Sequence, residues 1–155
     1  MKSTIQDKNK LVNSVFSQVY KKYDLMNDIM SLGIHRIWKE RFLDWMKPQP
    51  KSNLIDVASG TGDIAKLFFN KTNKDCSITC VEPNINMFNE GKNKLKNFKS
   101  IKWLNAKAEE IPVEDNTYDY YSISYGIRNV ADINKTLKEA LRVLKPGGRF
   151  MCLEF

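Results

Sequence analysis

The chemistry-bearing residues of this chain gather in two places, and both suit a nucleoside. The run Asp56-Val57-Ala58-Ser59-Gly60-Thr61-Gly62-Asp63 sets a Gly-x-Gly turn between an apolar, strand-like segment and a helical one. Glycines there allow a tight turn and close approach of the backbone to a ligand, while free N–H groups at a helix start can meet a ligand oxygen. Glu82 ends the next apolar run. A carboxylate in that register can accept hydrogen bonds from both hydroxyls of a ribose. A glycine turn alone would serve equally as a plain strand-to-helix connection; the acid in step with it favours binding.

Two kinds of nucleoside compete for such a turn. Gly60-x-Gly62-x-x-Ala65 also fits a dinucleotide fingerprint, which would imply hydride transfer. Asp56, four residues before Gly60, argues against it. An acid at the base of the loop is suited to organise it and to receive a cationic amino group, whereas it would repel a pyrophosphate. The sequence also has no Tyr-x-x-x-Lys pair of the reductase type. These residues favour S-adenosylmethionine as the cofactor.

Short apolar runs alternating with helical patterns must position these groups. Strands are expected at Asn53–Ala58, Ser77–Glu82, Ile101–Ala106, Tyr118–Tyr125 and Arg149–Phe155. Helices are expected at Asp63–Asn70, Asn84–Phe98 and Asp132–Leu144, the last with Ile133, Leu137, Ala140, Leu141 and Leu144 inward. Pro146-Gly147-Gly148 supplies turn chemistry after it. Repeated β-α-β units imply an α/β fold with a doubly wound, mainly parallel sheet, whose ligands lie outside the carboxyl ends of the strands. Lys47-Pro48-Gln49-Pro50-Lys51-Ser52 separates a helical preface, residues 1–47, from a core, residues 48–155. In the preface, Leu11, Val12, Val15, Phe16, Val19, Tyr20 and Tyr23 share one helical face, and Ile34, Ile37, Trp38, Arg41, Phe42 and Trp45 another.

Composition narrows the classes. With 42% hydrophobic and 28% charged residues, the 155-residue chain reads as one globular unit rather than a disordered or fibrous one. No stretch approaches the roughly 18 apolar residues of a membrane span, and the first residues lack a signal peptide's apolar region, so a cytoplasmic chain is expected. Cys76, Cys80 and Cys152 form no C-x-x-C pair, which leaves them as reduced strand thiols with no metal site implied. The net charge of +7 favours anionic partners without choosing among cofactor, nucleic acid and inner membrane leaflet.

Longer motifs carry a family likeness. Tyr23-Asp24-Leu25-Met26-Asn27, followed by Ser31, His35 and Trp38, resembles the N-terminal signature of the ubiquinone/menaquinone biosynthesis C-methyltransferase family. Arg142-Val143-Leu144-Lys145-Pro146-Gly147-Gly148 through Leu153-Glu154 is similar to its second signature, and Ser124-Tyr125-Gly126-Ile127-Arg128-Asn129-Val130 to its strand-four motif. The resemblance implies a class I, Rossmann-like methyltransferase sheet under an N-terminal helical cap. It implies methyl transfer from S-adenosylmethionine to a ring carbon of a prenylated quinol. Carried over by position, Thr61 lies in the cofactor loop, Glu82 holds the ribose, Lys107 and Ala108 flank the adenine, and Ser124 ends strand four beside the cofactor. Family members often have Asp where Glu82 stands, and a small polar residue where Lys107 stands. The chain stops at Phe155, one residue before the Ser that closes the second signature, so a C-terminally truncated member is expected.

Methylating an aromatic carbon needs an ionised quinol hydroxyl, an aligned sulfonium and removal of a proton. Arg128 and Asn129 are expected nearest the ring, with Tyr23 and Asp24 closing the site from above together with Asn27. Arg128 can stabilise a phenolate or orient a water; as an obligate cation it is a poor base. Alternatives stay open: Arg128 as an ion-pair partner of Asp132, Asp24 as a helix cap, His35 as a packed structural residue, and Met26 and Met30 as core. The tail of such a quinol partitions into a bilayer, so transient contact with the inner membrane face is expected, alongside self-association or a quinone-biosynthesis assembly, and no nucleic acid. The rivals are a methyltransferase acting on RNA or another small molecule, and a cofactor-binding subunit without turnover.

Overall fold

The computed structural model describes residues 34–154, and the expectations for Tyr23, Asp24, Met26, Asn27 and Met30 lie outside them. The order is α1 (Ile34–Met46), β1 (Ser52–Val57), α2 (Asp63–Lys71), β2 (Cys76–Val81), α3 (Ile85–Lys94), β3 (Ile101–Leu104) and β4 (Tyr118–Ser124). A 3₁₀ turn (Ile127–Asn129), α4 (Ile133–Val143) and β5 (Leu144–Leu153) follow.

The strands form one sheet in the order β3-β2-β1-β4-β5, and every neighbouring pair is parallel. Both faces of a parallel sheet are covered, so β1 is buried at Leu54, Ile55, Asp56 and Val57 in unbroken succession. Side chains alternate between two cores. Leu54 joins Ile78 and Cys80 under Phe42, Leu43 and Met46 of α1 and Ile64 and Phe68 of α2. Ile55 and Val57 join Tyr121 and Ile123 under Ala140 and Val143 of α4. The chain winds outward from β1 through β2 to β3, then returns to the other side of β1 with β4. The order therefore reverses between β1 and β4, and the crevice at their carboxyl ends is where this topology places a ligand.

Helix α3 lies so close to β3 that a Cβ on Gly91 would fall 2.2 Å from the Trp103 ring, which itself packs edge-on against Phe88. Gly91→Val should therefore cost about 2 kcal/mol or more through overpacking, a fall in melting temperature of roughly 4 °C or more followed by circular dichroism.

Several expectations are corrected. The helix read as Asn84–Phe98 ends at Lys94, because Leu95 turns into the core and Phe98 packs edge-on against Phe69. The strand read as Ile101–Ala106 ends at Leu104. Pro146-Gly147-Gly148 does not sit ahead of the last strand: it bulges out within β5, where pairing jumps from Tyr118↔Leu144 to Tyr120↔Arg149. Of the stripe read for α4, Ala140 and Leu144 are buried as expected, but Thr136 and Val143 turn inward with them, whereas Ile133, Leu137 and Leu141 are exposed, Leu141 at 77%. Small residues let α4 approach the sheet, and a stripe chosen for its large apolar side chains misses that. On α1 the inward stripe is His35, Lys39, Phe42, Leu43 and Met46; of the face read from the sequence only Phe42 is buried, and Trp45 is 73% exposed.

Candidate functional site

The ends of β1 and β4 meet in a cleft. Ala58 (φ 52°) and Tyr125 (φ 55°) take up the left-handed backbone region that side-chain-bearing residues rarely occupy, and strain of this kind collects at functional sites. A Cβ on Gly126 would lie 2.5 Å from that of Ala58, so the two strand ends approach too closely for any other residue at this point. The loop then turns through Gly60 (φ 57°) and Gly62 (φ 87°) into α2. Gly60, Thr61, Asp56 and Ser124 all line the cleft.

Asp56 was expected to organise this loop, but Glu82 does so. Glu82 Oε2 accepts the Gly60 N–H at 2.8 Å, and Oε1 accepts the Asn84 N–H at 2.9 Å. The Asn84 side chain in turn caps α3, accepting from the N–H groups of Asn86 and Met87. Burial pushes the Glu82 carboxyl up against the downward pull of these two bonds. Glu82 is buried, and each oxygen keeps further lone-pair capacity for a donor such as a ribose hydroxyl.

Asp56 faces the α1–α2 side of the sheet. Its Oδ1 accepts the Ser122 hydroxyl at 2.7 Å across the β1–β4 pairing, while Oδ2 is buried and unpartnered among the described residues. Burial raises its carboxyl to about 7; the Ser122 bond and the Lys39 charge pull the other way, and Asp63 and Glu82 add to the rise. Ser124 Oγ is likewise buried without a partner among the described residues. Lys39 reaches in from α1 to donate to Asp63 Oδ2 at 2.8 Å, and Lys94 of α3 donates to Asp63 Oδ1 at 2.9 Å. Burial alone would raise the Asp63 carboxyl, but the two ammonium groups outweigh it and hold it at about 2.

The remaining residues read from the sequence are spread along the strand ends. Ala108 is buried beside Val81 and Ile111 in the second core, and the exposed Lys107 forms an isolated bridge with Glu110. Arg128 lies in the 3₁₀ turn beyond β4, and its guanidinium meets Glu154 at the end of β5 at 3.4 Å. The open alternative of an Arg128–Asp132 pair is not what forms: Asp132 caps α4 by accepting the Lys135 N–H. Asn129 is half-buried next to Arg128, and His35 is buried on the inward face of α1. The sequence reading missed Lys39, Asp63, Ser122 and Tyr125. For Lys39 a signal existed, since His35, Lys39, Phe42, Leu43 and Met46 recur at helical spacing.

A cofactor with a cationic amino group, a carboxylate and a ribose fits these groups. The unpartnered Asp56 oxygen, the Lys39 ammonium and the Glu82 carboxylate supply one complement for each. A parallel sheet carrying an acid on β1, a Gly-x-Gly turn and a carboxylate after β2 makes this a Rossmann-like domain with a cleft suited to a nucleoside. The fold agrees with solved structures: an S-adenosylmethionine-dependent methyltransferase from Aquifex aeolicus superposes with a TM-score of 0.65 at 22% identity, over 70% of this chain and 58% of that one. The [4+2]-cyclase SpnF does so equally well, at 0.65 and 21% over 72% and 43%, so the sheet alone does not choose the reaction. The chain belongs to the ubiE/COQ5 methyltransferase family, whose model matches residues 3–155. A relative named ubiquinone/menaquinone biosynthesis C-methyltransferase UbiE, from Rickettsia bellii, is 52% identical over 155 residues. That alignment takes in 96% of this chain and 62% of the relative's length.

Proposed function

We propose that the protein is an S-adenosylmethionine-dependent C-methyltransferase acting on the ring of a prenylated benzoquinol or demethylmenaquinol. The observation that carries the cofactor reading is the buried, unpartnered Asp56 oxygen facing the cleft where the strand order reverses. When bound, the cofactor supplies an electrophilic methyl group on its sulfonium. Asp56 receives its amino group, Gly60, Thr61 and Gly62 shape the loop against it, and Glu82 takes the ribose hydroxyls. The backbone at Lys107 and Ala108 flanks the adenine, and Ser124 lines the end nearest the methyl group.

Arg128 and Asn129 then stand on the acceptor side, with Tyr23 and Asp24 closing over it from a cap of residues 1–47 on the core, residues 48–155. Arg128 would stabilise the phenolate that makes the ring carbon nucleophilic, and with the charge fixed there the ring proton would be lost to water rather than to the arginine. Membrane contact fits a substrate with an isoprenoid tail. The outward face of α1, with Ile34, Ile37, Trp38 and Trp45 exposed, supports a cytoplasmic protein that touches the inner membrane face. Among the described residues no helix is long and apolar enough to cross a membrane. Self-association or a quinone-biosynthesis assembly belongs to the same proposal.

Titration with S-adenosylhomocysteine tests the cofactor reading, and an anaerobic methylation assay with a short-chain quinol tests the substrate. Glu82→Ala removes charge-assisted bonds of roughly 1.5–3 kcal/mol each, so affinity should fall at least tenfold. It also orphans the Gly60 and Asn84 N–H groups, so the ligand-free protein should melt earlier as well. Unchanged affinity would remove Glu82 from the cofactor site. Methylation of RNA but not quinol would favour the RNA reading, and binding without any turnover would favour the subunit reading.

A further inference from the structure

Between β3 and β4 the chain makes a tight turn with Ala108 and Glu109 at its centre, closed by the Lys107–Glu110 bridge and by the Glu110 N–H, which donates to the Lys107 carbonyl at 3.3 Å. The reading above sets this loop beside the adenine. Glu109 reaches from it to the other loop of the site: its Oε1 accepts the Ala131 N–H at 2.5 Å and the Asp132 N–H at 3.2 Å. Those two residues follow Arg128, Asn129 and Val130 directly and lead into α4. A carboxylate at a helix start is an ordinary stabiliser. What sets Glu109 apart is the place of its own backbone, because one side chain then joins the cofactor-side loop to the acceptor-side loop across 22 residues of sequence.

The two loops are not held equally. The cofactor-side loop has anchors besides Glu109: the Asn105 amide donates to the Glu82 and Pro83 carbonyls at 2.8 and 3.1 Å, and Glu139 accepts the Ile111 N–H at 2.8 Å. Arg142 adds bonds to the Ile111 and Val113 carbonyls at 2.8 and 2.7 Å. The acceptor-side loop is a short 3₁₀ turn, closed by the Asn129 N–H on the Gly126 carbonyl, and its Arg128 side chain is 55% exposed. We propose that Glu109 is a positioning residue: through its two backbone bonds it holds Arg128 and Asn129 in register with the bound cofactor, so that filling the cofactor site orders the acceptor side. This rests on the reading above for the roles of those two residues. A misplacement of about 1 Å at reacting groups can cost on the order of a hundredfold in rate, so such a tether matters to turnover without touching either ligand.

Backbone amide exchange, followed with and without S-adenosylhomocysteine on wild type, Glu109→Ala and Glu109→Gln, tests this. In wild type the ligand should slow exchange at residues 128–130 by about tenfold or more. In Glu109→Ala that slowing should disappear while affinity stays within about threefold, because the cofactor-side loop keeps its other anchors. Glu109→Gln retains an oxygen acceptor on a side chain of the same length, so it should keep most of the slowing. On the protein as its source organism makes it, kcat with a short-chain quinol should fall about tenfold or more in Glu109→Ala and recover in Glu109→Gln. A merely structural carboxylate would lower the melting temperature without separating kcat from affinity. Slowing that is equal in wild type and Glu109→Ala, or absent from wild type, overturns the proposal, as does a loss of affinity in Glu109→Ala as large as its loss of kcat. Wild type that shows the slowing but methylates no quinol leaves the tether standing and overturns the acceptor reading. Wild type that does not bind S-adenosylhomocysteine overturns the cofactor reading and this proposal with it.

Discussion

Asp56→Asn should weaken S-adenosylhomocysteine binding at pH 8 by about a hundredfold or more and, in the same protein without ligand, raise the melting temperature. Asparagine has the same shape and can still accept the Ser122 hydroxyl, so the strand pairing and the Ser122 contact survive. What disappears is the charged acceptor facing the cleft. Leaving an ammonium in a buried site without its partner costs on the order of 3–5 kcal/mol, which exceeds the 2.7 kcal/mol or so of a hundredfold change. Stability moves the other way. The folded-state carboxyl sits at about 7 against an ordinary 3.8, so the fold favours the protonated acid. That contribution is fully present below about 4 and is lost as pH rises through about 7, by on the order of 4 kcal/mol for a shift of some three units. Asp56→Asn removes this pH slope, and its gain in melting temperature should be clear at pH 8 and shrink toward pH 5. The wild type should also bind more weakly as pH falls below 7, by up to about tenfold per unit, because the proton competes with the ammonium. Affinity within threefold of wild type, with a flat pH profile, would show that Asp56 does not face the amino group.

Why Asp56, the glycines and Glu82 were legible in the sequence while their division of labour was not is a matter of scale. Strand ends are set by local pattern, and a glycine turn after a run of buried β residues marks one whatever surrounds it. Placing two acids at consecutive strand ends needs only that pattern and the winding rule. Which acid grips the loop depends on side-chain reach across 22 residues of sequence, and Glu82, one methylene longer than an aspartate, spans to the Gly60 N–H. Lys39 was hidden for a different reason. Helix α1 carries two stripes: an apolar one bearing Ile34, Ile37, Trp38 and Trp45, and a mixed one bearing His35 and Lys39. Ranking by hydrophobicity selects the first, yet the helix buries the second, because Asp63 of α2 supplies a partner for the lysine. The same bias misread α4, where Thr136 stays buried by donating its hydroxyl to the Asp132 carbonyl.

Arg128→Ala should cut kcat by about two orders of magnitude or more while leaving S-adenosylhomocysteine affinity within a few fold, assayed anaerobically with a short-chain quinol on the protein as its source organism makes it. Two orders of magnitude correspond to about 2.7 kcal/mol of transition-state stabilisation, the size expected when a fixed charge facing a developing phenolate is removed. The competing account is structural, since Arg128 meets Glu154 at 3.4 Å across the ends of β4 and β5. With the arginine side chain 55% exposed, such a pair contributes about 0–1 kcal/mol to stability, too little to account for the expected loss. A double-substitution cycle separates the two. If the role of Arg128 is to neutralise Glu154, then Arg128→Ala combined with Glu154→Gln should restore turnover, because the charge it neutralises has been removed as well. If Arg128 acts on the acceptor, the double variant should stay as slow as Arg128→Ala, and Arg128→Lys should recover only part of the rate by returning the charge without the planar fork. Wild-type turnover in Arg128→Ala, or its rescue by Glu154→Gln, would reduce the residue to an ion-pair partner, and a matched loss of S-adenosylhomocysteine affinity would move it into the cofactor site.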